Sequence, residues 1–367
     1  MRKRKILISC GGTGGHIFPA IEIAKSFKSL NPDIDLLFVG ALNKMEMIKV
    51  PKAGFPIIGI WIQGLYRNSI FKNTLFFIKL VVSLLHSFGI LIYYRPVAVI
   101  GTGGFVTGPV LLLASMLGVK TYIQEQNCFP GITNRILGKL VSRVFVAHEK
   151  MDSFFAANKI TNFGNPVRLQ LRTKKSDDFV NQSRSFFGLS SNKFTILVIG
   201  GSLGAEPINK SIAYHLKSIL KQDCQLIWQT GYKGYGDYGG LKSANCSVQK
   251  FIDRMDLAYS AADVIISRAG AIAITEISFL EKASILIPSP HVTDNHQFQN
   301  AKYLAEHKAC LLMSELELMG PKVIKYINYL KSDNIRNSIG KNAHNLFKYN
   351  ASSEIAALIL KDIKSKK

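Results

Sequence analysis

Two segments of the sequence share one local pattern: a short apolar run, a glycine-rich turn and then a helical stretch. They are ILISCGGTGGH at residues 6–16 and ILVIGGSLGA at residues 196–205. Glycines allow the backbone to approach a ligand closely, and the N–H groups at the start of a helix attract anions. A chain that opens each of its halves in this way is expected to contain two α/β domains, each with an anion-binding turn.

Continuous apolar runs alternate with helical stretches in both halves, which is typical of parallel sheets covered on both faces. At 367 residues the chain is also long enough for two domains. The polar stretch 173–193, after GNPVR at 164–168, marks a domain junction. We predict strands at 5–10, 35–40, 56–62, 97–101, 120–125, 143–148, 194–200, 224–230, 246–252, 263–267, 283–288 and 309–313.

The chain has 46 Lys and Arg against 24 Asp and Glu, a formal net charge of +22. This excess of positive charge is typical of proteins that bind nucleic acid, an anionic membrane surface or phosphorylated substrates. A proteome rich in lysine would explain it equally well. No aromatic-studded basic strand or recognition helix is apparent, so we expect no nucleic-acid partner. The five cysteines lack CxxC spacing and predict neither a disulfide framework nor a zinc site.

Residues 74–94 approach the length of a membrane span but carry Lys79 and His86 near the middle. A charge at that depth in lipid is costly. This segment is therefore predicted to be a packed or interfacial helix. The apolar, lysine-dotted stretch 66–95 is a candidate membrane-docking face, with part of it alternatively in the core; its candidate residues are Tyr66, Arg67, Phe71, Lys72, Phe76, Phe77 and Lys79.

The turn from Gly11 to His16 fits neither the dinucleotide fingerprint nor the P-loop, because the required spacings fail. His16 falls in the first helical turn, whose positive end favours a neutral imidazole, as a general base needs. The alternative is a His that caps the helix or lines a pocket. Glu125, in the strand-end sequence QEQN at 124–127, is a second candidate base, or else part of a solvated loop.

In the second half, the Ser202 hydroxyl adds a donor to the glycine turn at 200–205. Glu276 follows a further strand end and glycine turn, where a carboxylate is able to accept both hydroxyls of a ribose. Alternatively, the N-terminal dipole of the helix favours an acidic residue there. Asp33 and Asp35 are expected in a solvated turn, and no His, Asp and Glu cluster has metal-ligand spacing.

Taken together, these motifs resemble glycosyltransferase family 28, the MurG family. The resemblance runs in order along almost the whole chain through GGTGGHIFPA at 11–20, RPVAVIGTGGFVTGPVLLLA at 95–114, QEQNCFPGITNR at 124–135, GNPVR at 164–168, GGSLGA at 200–205, RAGAIAITE at 268–276 and TDNHQFQNA at 293–301.

The resemblance implies a GT-B fold, in which two Rossmann-like domains face each other across a cleft and the last helix returns to the first domain. The implied domains are 1–163 with 346–367, for the acceptor and the membrane, and 164–345, for the donor. The implied activity is inverting transfer of N-acetylglucosamine from UDP-N-acetylglucosamine to the MurNAc 4-hydroxyl of lipid I (undecaprenyl-pyrophosphoryl-MurNAc-pentapeptide), which forms lipid II for peptidoglycan. The alternative is a diacylglycerol glycosyltransferase or another GT-B enzyme that uses UDP-sugars, such as an epimerase.

The same resemblance implies site residues. Ile252 would meet the uracil through its backbone, Glu276 the ribose and Gln297 the sugar hydroxyls. A larger set of residues is implied to contact the diphosphate and the reacting centre. Ser202, Arg168 and the turn of Ala271, Ile272, Ala273, Ile274 and Thr275 would hold the diphosphate, while Thr13, Gly14, Gly15 and Asn127 would face the reacting centre.

Two positions depart from the family pattern: Leu203 stands where Gln is frequent, and His296 precedes Gln297 where a Gln-Gln pair is common. We expect no cofactor and no bound metal. The expected partners are the donor, lipid I, an anionic inner-membrane surface and other cell-wall synthesis proteins. The expected location is the cytoplasmic side of the inner membrane, as a peripheral protein.

Overall fold

The computed structural model describes residues 4–64, 75–171, 176–201, 203–292 and 295–364. Its described residues divide into two compact units. Unit 1 comprises the residues up to Arg168 together with those from Lys348 onwards, and unit 2 comprises Leu169–Phe347.

Unit 1 alternates strands and helices from its first residues. Its strands are β1 Lys5–Ser9, β2 Asp35–Ala41, β3 Ile57–Ile60, β4 Ala98–Gly101, β5 Lys120–Glu125, β6 Arg143–Val146 and β7 Ile160–Asn162. Its helices are α1 Gly14–Leu30, α2 Glu46–Lys52, α3 Phe76–Tyr94, α4 Thr107–Met116 and α5 Ile132–Gly138. The helix α14, Ala351–Lys364, lies at the other end of the chain.

The described strands of unit 1 form one parallel sheet in the order β3-β2-β1-β4-β5-β6-β7. The order reverses between β1 and β4, and ligands of such sheets bind at the carboxyl ends of the strands at this switch point. Helix α14 packs against α1 and buries Ile355 and Ile359 in the core of this unit. The predicted return of the last helix to the first domain is therefore confirmed.

Unit 2 repeats the design. Its strands are β8 Phe194–Ile199, β9 Cys224–Gln229, β10 Cys246–Gln249, β11 Val264–Ser267, β12 Ala283–Leu286 and β13 Leu311–Leu312. Its helices are α6 Asp177–Phe186, α7 Glu206–Leu220, α8 Gly231–Tyr238, α9 Met255–Ala261, α10 Ala271–Phe279, α11 His296–Glu306, α12 Lys322–Tyr329 and α13 Asp333–Asn345. The order of the parallel sheet is β10-β9-β8-β11-β12-β13, with its own switch point between β8 and β11.

The predicted fold class, two Rossmann-like α/β domains, is confirmed. The central strands were predictable because parallel strands that are buried on both faces are apolar throughout. Strand β7 was not predicted; its three residues, Ile160–Asn162, are only partly buried and lie at the edge of the sheet. A three-residue strand that includes polar side chains is too short to show the apolar run by which the other strands were recognised.

Helix α3 exposes large apolar side chains to solvent and buries two serines, whereas an ordinary amphipathic helix buries its apolar face. Its buried residues are Ser83, Ser87, Leu91 and Tyr94. Its outward face, here called the apolar α3 face, carries six large side chains that are between 47% and 72% exposed: Phe77, Ile78, Val81, Leu85, Phe88 and Ile92. Among the described residues it is the one helix whose length and mean hydropathy, 2.0, suit a membrane span.

Candidate functional site

At the switch point of unit 1, the glycine turns after β1 and β4 are in direct backbone contact. The N–H of Gly11 donates to the carbonyl of Gly103 at 3.3 Å. A Cβ on Gly104 would lie 2.3 Å from the Gly11 oxygen, and Gly104 has a φ of +88°. Any side chain there would force the two turns apart. The glycines are therefore required by packing as well as by backbone conformation.

The imidazole of His16 lies within this contact. Its Nδ1 is 3.0 Å from the carbonyl oxygen of Gly11. A carbonyl only accepts, so Nδ1 carries the proton in this bond and Nε2 is the proton-accepting nitrogen of the neutral ring. The ring also packs on Gly103, where a Cβ would lie 2.7 Å from His16 Cδ2. These two contacts fix the tautomer and the orientation of the imidazole.

Three residues that were predicted to face the reacting centre, Thr13, Gly14 and Gly15, lie at the start of the helix that carries His16. Thr13 is the N-cap of α1, its side chain makes no capping hydrogen bond, and Thr13 and Gly15 are exposed. The first turn of α1 contains no acidic side chain. The N–H groups at this helix start are thus directed toward a place where an anionic or hydroxyl-rich ligand would be stabilised.

Glu125 has a different environment from His16. It is 2% exposed, and donors from its own loop surround the carboxylate. Oε1 accepts from the backbone N–H and the side-chain amide of Asn127, at 3.0 and 3.2 Å. Oε2 accepts from the N–H of Gly131 and from Asn134 Nδ2, at 3.3 and 2.8 Å. A carboxylate that accepts from four such donors organises the loop that carries Asn127.

In unit 2, the glycine turns after β8 and β9 are also in close backbone contact, although these two strands lie on one side of the switch point. A Cβ on Gly204 would lie 2.0 Å from the Thr230 oxygen, and one on Gly231 would lie 2.3 Å from the Gly204 nitrogen. Both glycines have positive φ, at +81° and +85°. The predicted site residue Ser202 lies outside the described residues. Its neighbour Leu203 is 68% exposed.

Gln229, at the end of β9, connects two segments of unit 2 that the sequence analysis treated separately. Its Nε2 donates to the Gly201 carbonyl at 2.9 Å, and its Oε1 accepts from the Ile252 N–H at 2.8 Å. Gln229 is 3% exposed. One side chain therefore sets the position of both the glycine turn and the backbone that was predicted to meet a uracil. Gln229 was not among the predicted site residues because it belongs to no glycine motif.

Helix α10 begins at the switch point of unit 2. Its N-cap is Gly270, no side chain caps it, and its first turn is free of acidic residues. The predicted diphosphate turn, Ala271–Thr275, is this helix start. Glu276 follows within α10, is 2% exposed, and its Oε2 accepts from the hydroxyl of Tyr259 at 3.1 Å. Tyr259, on α9, was also missed.

Two further predicted residues have partners within their own unit. The guanidinium of Arg168 lies over the ring of Phe18, on α1, at 4.2 Å from the centroid. Gln297, in the first turn of α11, accepts from the N–H of Ser289 at 2.9 Å. Among the described residues, no group of three or more His, Cys, Asp or Glu side chains is placed to hold a metal ion.

Two doubly wound domains, each with a glycine turn and an uncapped helix start at its switch point, are the architecture of GT-B enzymes, the class that acts on nucleotide sugars. The N-terminal domain of glycosyltransferase family 28 matches residues 6–146, and the C-terminal domain of that family matches residues 195–357. The chain belongs to glycosyltransferase family 28, which confirms the resemblance drawn from its motifs.

Named relatives cover the whole chain. A UDP-N-acetylglucosamine--N-acetylmuramyl-(pentapeptide) pyrophosphoryl-undecaprenol N-acetylglucosamine transferase of Flavobacterium psychrophilum is 43% identical and covers 100% of both chains. The enzyme of the same name from Christiangramia forsetii is 44% identical over 99% of this chain and 98% of its own. The crystal structure of Acinetobacter baumannii MurG superposes with a TM-score of 0.73 at 28% identity, covering 98% of this chain and 99% of that one.

Proposed function

We propose that this enzyme transfers N-acetylglucosamine from UDP-N-acetylglucosamine to N-acetylmuramyl-(pentapeptide) pyrophosphoryl-undecaprenol, the lipid-linked acceptor. The observation that carries this proposal is the similarity, at 43% identity over the full length, to an enzyme named for that reaction. The same similarity favours this transferase over a diacylglycerol glycosyltransferase. The lipid acceptor and the UDP-sugar are therefore the two substrates.

Unit 2 is proposed to bind the donor. The start of α10, Ala271–Thr275, offers N–H groups that stabilise the diphosphate and the charge that builds up on departing UDP. Glu276 would accept hydrogen bonds from the ribose, and Ile252 would contact the uracil through its backbone. Ser202, at the diphosphate, and Gln297, at the sugar hydroxyls, complete the proposed donor set of unit 2. Arg168, which belongs to unit 1, is also proposed to bind the diphosphate.

Unit 1 is proposed to bind the acceptor around the start of α1. Thr13, Gly14, Gly15 and Asn127 would face the reacting centre, where the acceptor's 4-hydroxyl attacks the anomeric carbon and loses its proton. We assign the general base to His16, because its Nδ1 is engaged by Gly11 and its Nε2 is the basic nitrogen. Glu125 serves as a positioning residue, since its carboxylate is bound by donors of its own loop.

The apolar α3 face is proposed to rest on the membrane surface, with the helix lying in the interface. Large apolar side chains point away from the protein and small serines point toward it, which costs stability in water and gains it in lipid. Lys79 donates to Gln63 at 2.6 Å and lies over the ring of Trp61, so its charge is held beside the protein. This arrangement favours peripheral association with a membrane surface, and the cytoplasmic side of the inner membrane is the proposed location.

The transfer itself is tested with purified protein, UDP-N-acetylglucosamine labelled in the sugar, and a short-chain analogue of lipid I. We expect a labelled disaccharide lipid and an equivalent amount of UDP. UDP-glucose and diacylglycerol are the control donor and the control acceptor. Efficient transfer to diacylglycerol, with none to the lipid I analogue, would refute the proposal.

A further inference from the structure

Glu46, the first residue of α2, has a carboxylate that lies entirely inside unit 1. The residue is 0% exposed. Oε1 accepts from the N–H of Ala41 at 3.0 Å, and both oxygens accept from the N–H of Gly12, at 3.3 and 3.2 Å. A buried carboxylate is costly unless donors surround it, so these bonds determine where it sits. Glu46 belongs to none of the motifs that predicted the site.

The peptide group bound by Glu46 is the same one that binds His16. The N–H of Gly12 and the C=O of Gly11 belong to a single planar peptide unit and point in opposite directions. The N–H is bound by Glu46, and the C=O accepts from His16 Nδ1 at 3.0 Å. A carboxylate, a peptide group and an imidazole thus form one continuous hydrogen-bonded chain.

The surrounding atoms leave this peptide group little room to rotate. A Cβ on Gly11 would lie 2.5 Å from Glu46 Oε1, and one on Gly104 would lie 2.3 Å from the Gly11 oxygen. Gly12 has a φ of +89°, which a residue with a side chain rarely adopts. Packing therefore holds both ends of the peptide against their partners.

We propose that Glu46 is a positioning residue that acts on His16 through the Gly11–Gly12 peptide group. The negative charge polarises the peptide, which makes the Gly11 oxygen a stronger acceptor for Nδ1–H. The stronger bond favours the tautomer with basic Nε2 and stabilises the imidazolium that forms when the acceptor's proton is taken, as a directly bound carboxylate does in other enzymes. This inference rests on the proposed role of His16 as the base.

The neighbours of this hydrogen-bonded series include a thiol, an uncharged turn and a guanidinium. Cys10 directly follows β1. Burial, and to a smaller extent the charge of Glu46, raise the pKa of its thiol far above the ordinary value, so Cys10 stays neutral. The turn after β4 that packs on His16, Thr102–Val106, contains no titratable side chain. Arg168 lies over Phe18, two residues beyond His16. Glu46 is thus a charge that couples to the imidazole through the hydrogen bonds of the Gly11–Gly12 peptide group.

The test replaces Glu46 by Gln, which retains an acceptor oxygen and removes the charge. We expect kcat at neutral pH to fall about 3- to 10-fold, and the acid limb of the kcat–pH profile to move to lower pH by about half a unit or more. KM for UDP-N-acetylglucosamine should stay within about twofold, since the substitution leaves unit 2 unchanged. Glu22→Gln is the matched control, because Glu22 is a buried carboxylate on α1 paired with Lys25. An E46Q enzyme with the wild-type pH profile would overturn the proposal.

A second measurement does not depend on activity. The ¹⁵N shifts of His16, assigned in histidine-labelled protein by comparison with His16→Gln, report the tautomer directly. Wild-type protein should show a protonated Nδ1, and E46Q a lower imidazole pKa. A protonated Nε2 in the wild type would refute the relay, even if E46Q does not fold. Failure of the wild type to transfer the sugar would instead refute the proposed function, while the ¹⁵N shifts still decide on the relay.

Discussion

The Oε1 atom of Gln229 accepts a 2.8 Å hydrogen bond from the backbone N–H of Ile252, across two different segments of unit 2. The Nε2 of the same side chain donates to the carbonyl of Gly201. The proposed uracil contact and the proposed phosphate turn thus share one buried amide. A single substitution at Gln229 is therefore expected to disturb both parts of a bound nucleotide.

Replacing Gln229 by Leu should raise KM for UDP-N-acetylglucosamine by about 10-fold or more, because each lost hydrogen bond is worth about 1 kcal/mol and leaves a backbone group unsatisfied. The measurement is initial-rate kinetics with the acceptor saturating. Gln225→Leu is the control: Gln225 is buried near the other end of β9 and binds Ser190 and Thr195. That variant should lose stability with little change in KM. Equal KM effects in the two variants would contradict the prediction.

The hydroxyl of Tyr259 orients the carboxylate proposed to bind the ribose. Tyr259→Phe removes the 3.1 Å bond to Glu276 and should raise the dissociation constant of UDP about 3- to 10-fold, measured by calorimetry. Tyr122→Phe provides the comparison, because the Tyr122 hydroxyl binds Asp362 within unit 1. It should leave UDP binding unchanged. Wild-type affinity in Tyr259→Phe would show that Glu276 is oriented by other contacts.

His16 and Glu125 are expected to respond differently to substitution. His16→Ala should lower kcat by about 10²- to 10⁴-fold with little loss of thermal stability, as for a general base. Glu125→Gln places an amide donor against four donors, so unfolding should become easier by about 1–3 kcal/mol. Kinetics and thermal unfolding of both variants check this. If Glu125→Gln kept wild-type stability and lost the acid limb of the pH profile, Glu125 would be the base.

His148, which follows β6, couples folding to pH. Burial lowers its pKa from 6.5 to about 4, although a hydrogen bond with the Gln126 backbone raises it slightly. The His148 imidazole therefore binds a proton at a higher pH in the unfolded chain than in the folded protein. The free energy of unfolding falls as the pH is lowered from 6.5 toward 4. The loss amounts to about 3 kcal/mol at most. In urea titrations at several pH values, His148→Gln should show a smaller loss over this range. His307→Gln, at an exposed site, should behave as the wild type.

The apolar α3 face is expected to control binding to vesicles of phosphatidylglycerol and phosphatidylethanolamine. Phe77 and Leu85 are 72% and 68% exposed. Exchanging both for Ser should weaken partitioning at least about 10-fold, since each buried apolar side chain contributes about 1.5–3 kcal/mol. Activity on a water-soluble acceptor should be retained. Leu316→Ser, at a residue of unit 2 that is 96% exposed, is the control. Sedimentation of the double variant with vesicles like the wild type would contradict a docking role.

Much of the fold could be predicted from local patterns. Buried parallel strands are apolar on both sides, and glycine turns mark their carboxyl ends, so β1, β4, β8 and β11 and the turns that follow them were recognisable. The family followed from the order of these motifs. The short, half-buried β7 was not recognisable, because its residues carry neither an apolar run nor a turn signal.

The order of residues along the chain was enough to predict the two domains, the glycine turns at their switch points and the family. Which side chains those turns touch depends on how the strands are arranged in space. Glu46 meets Gly12 across 34 positions of chain and Gln229 meets Ile252 across 23, because neighbouring parallel strands end side by side. The local periodicity of a sequence indicates whether a residue is buried. It does not indicate which distant residue that side chain contacts, because this depends on which strands are neighbours in the sheet. For the same reason, the sequence marked α3 as apolar, and packing against α4 decided which face was left outside.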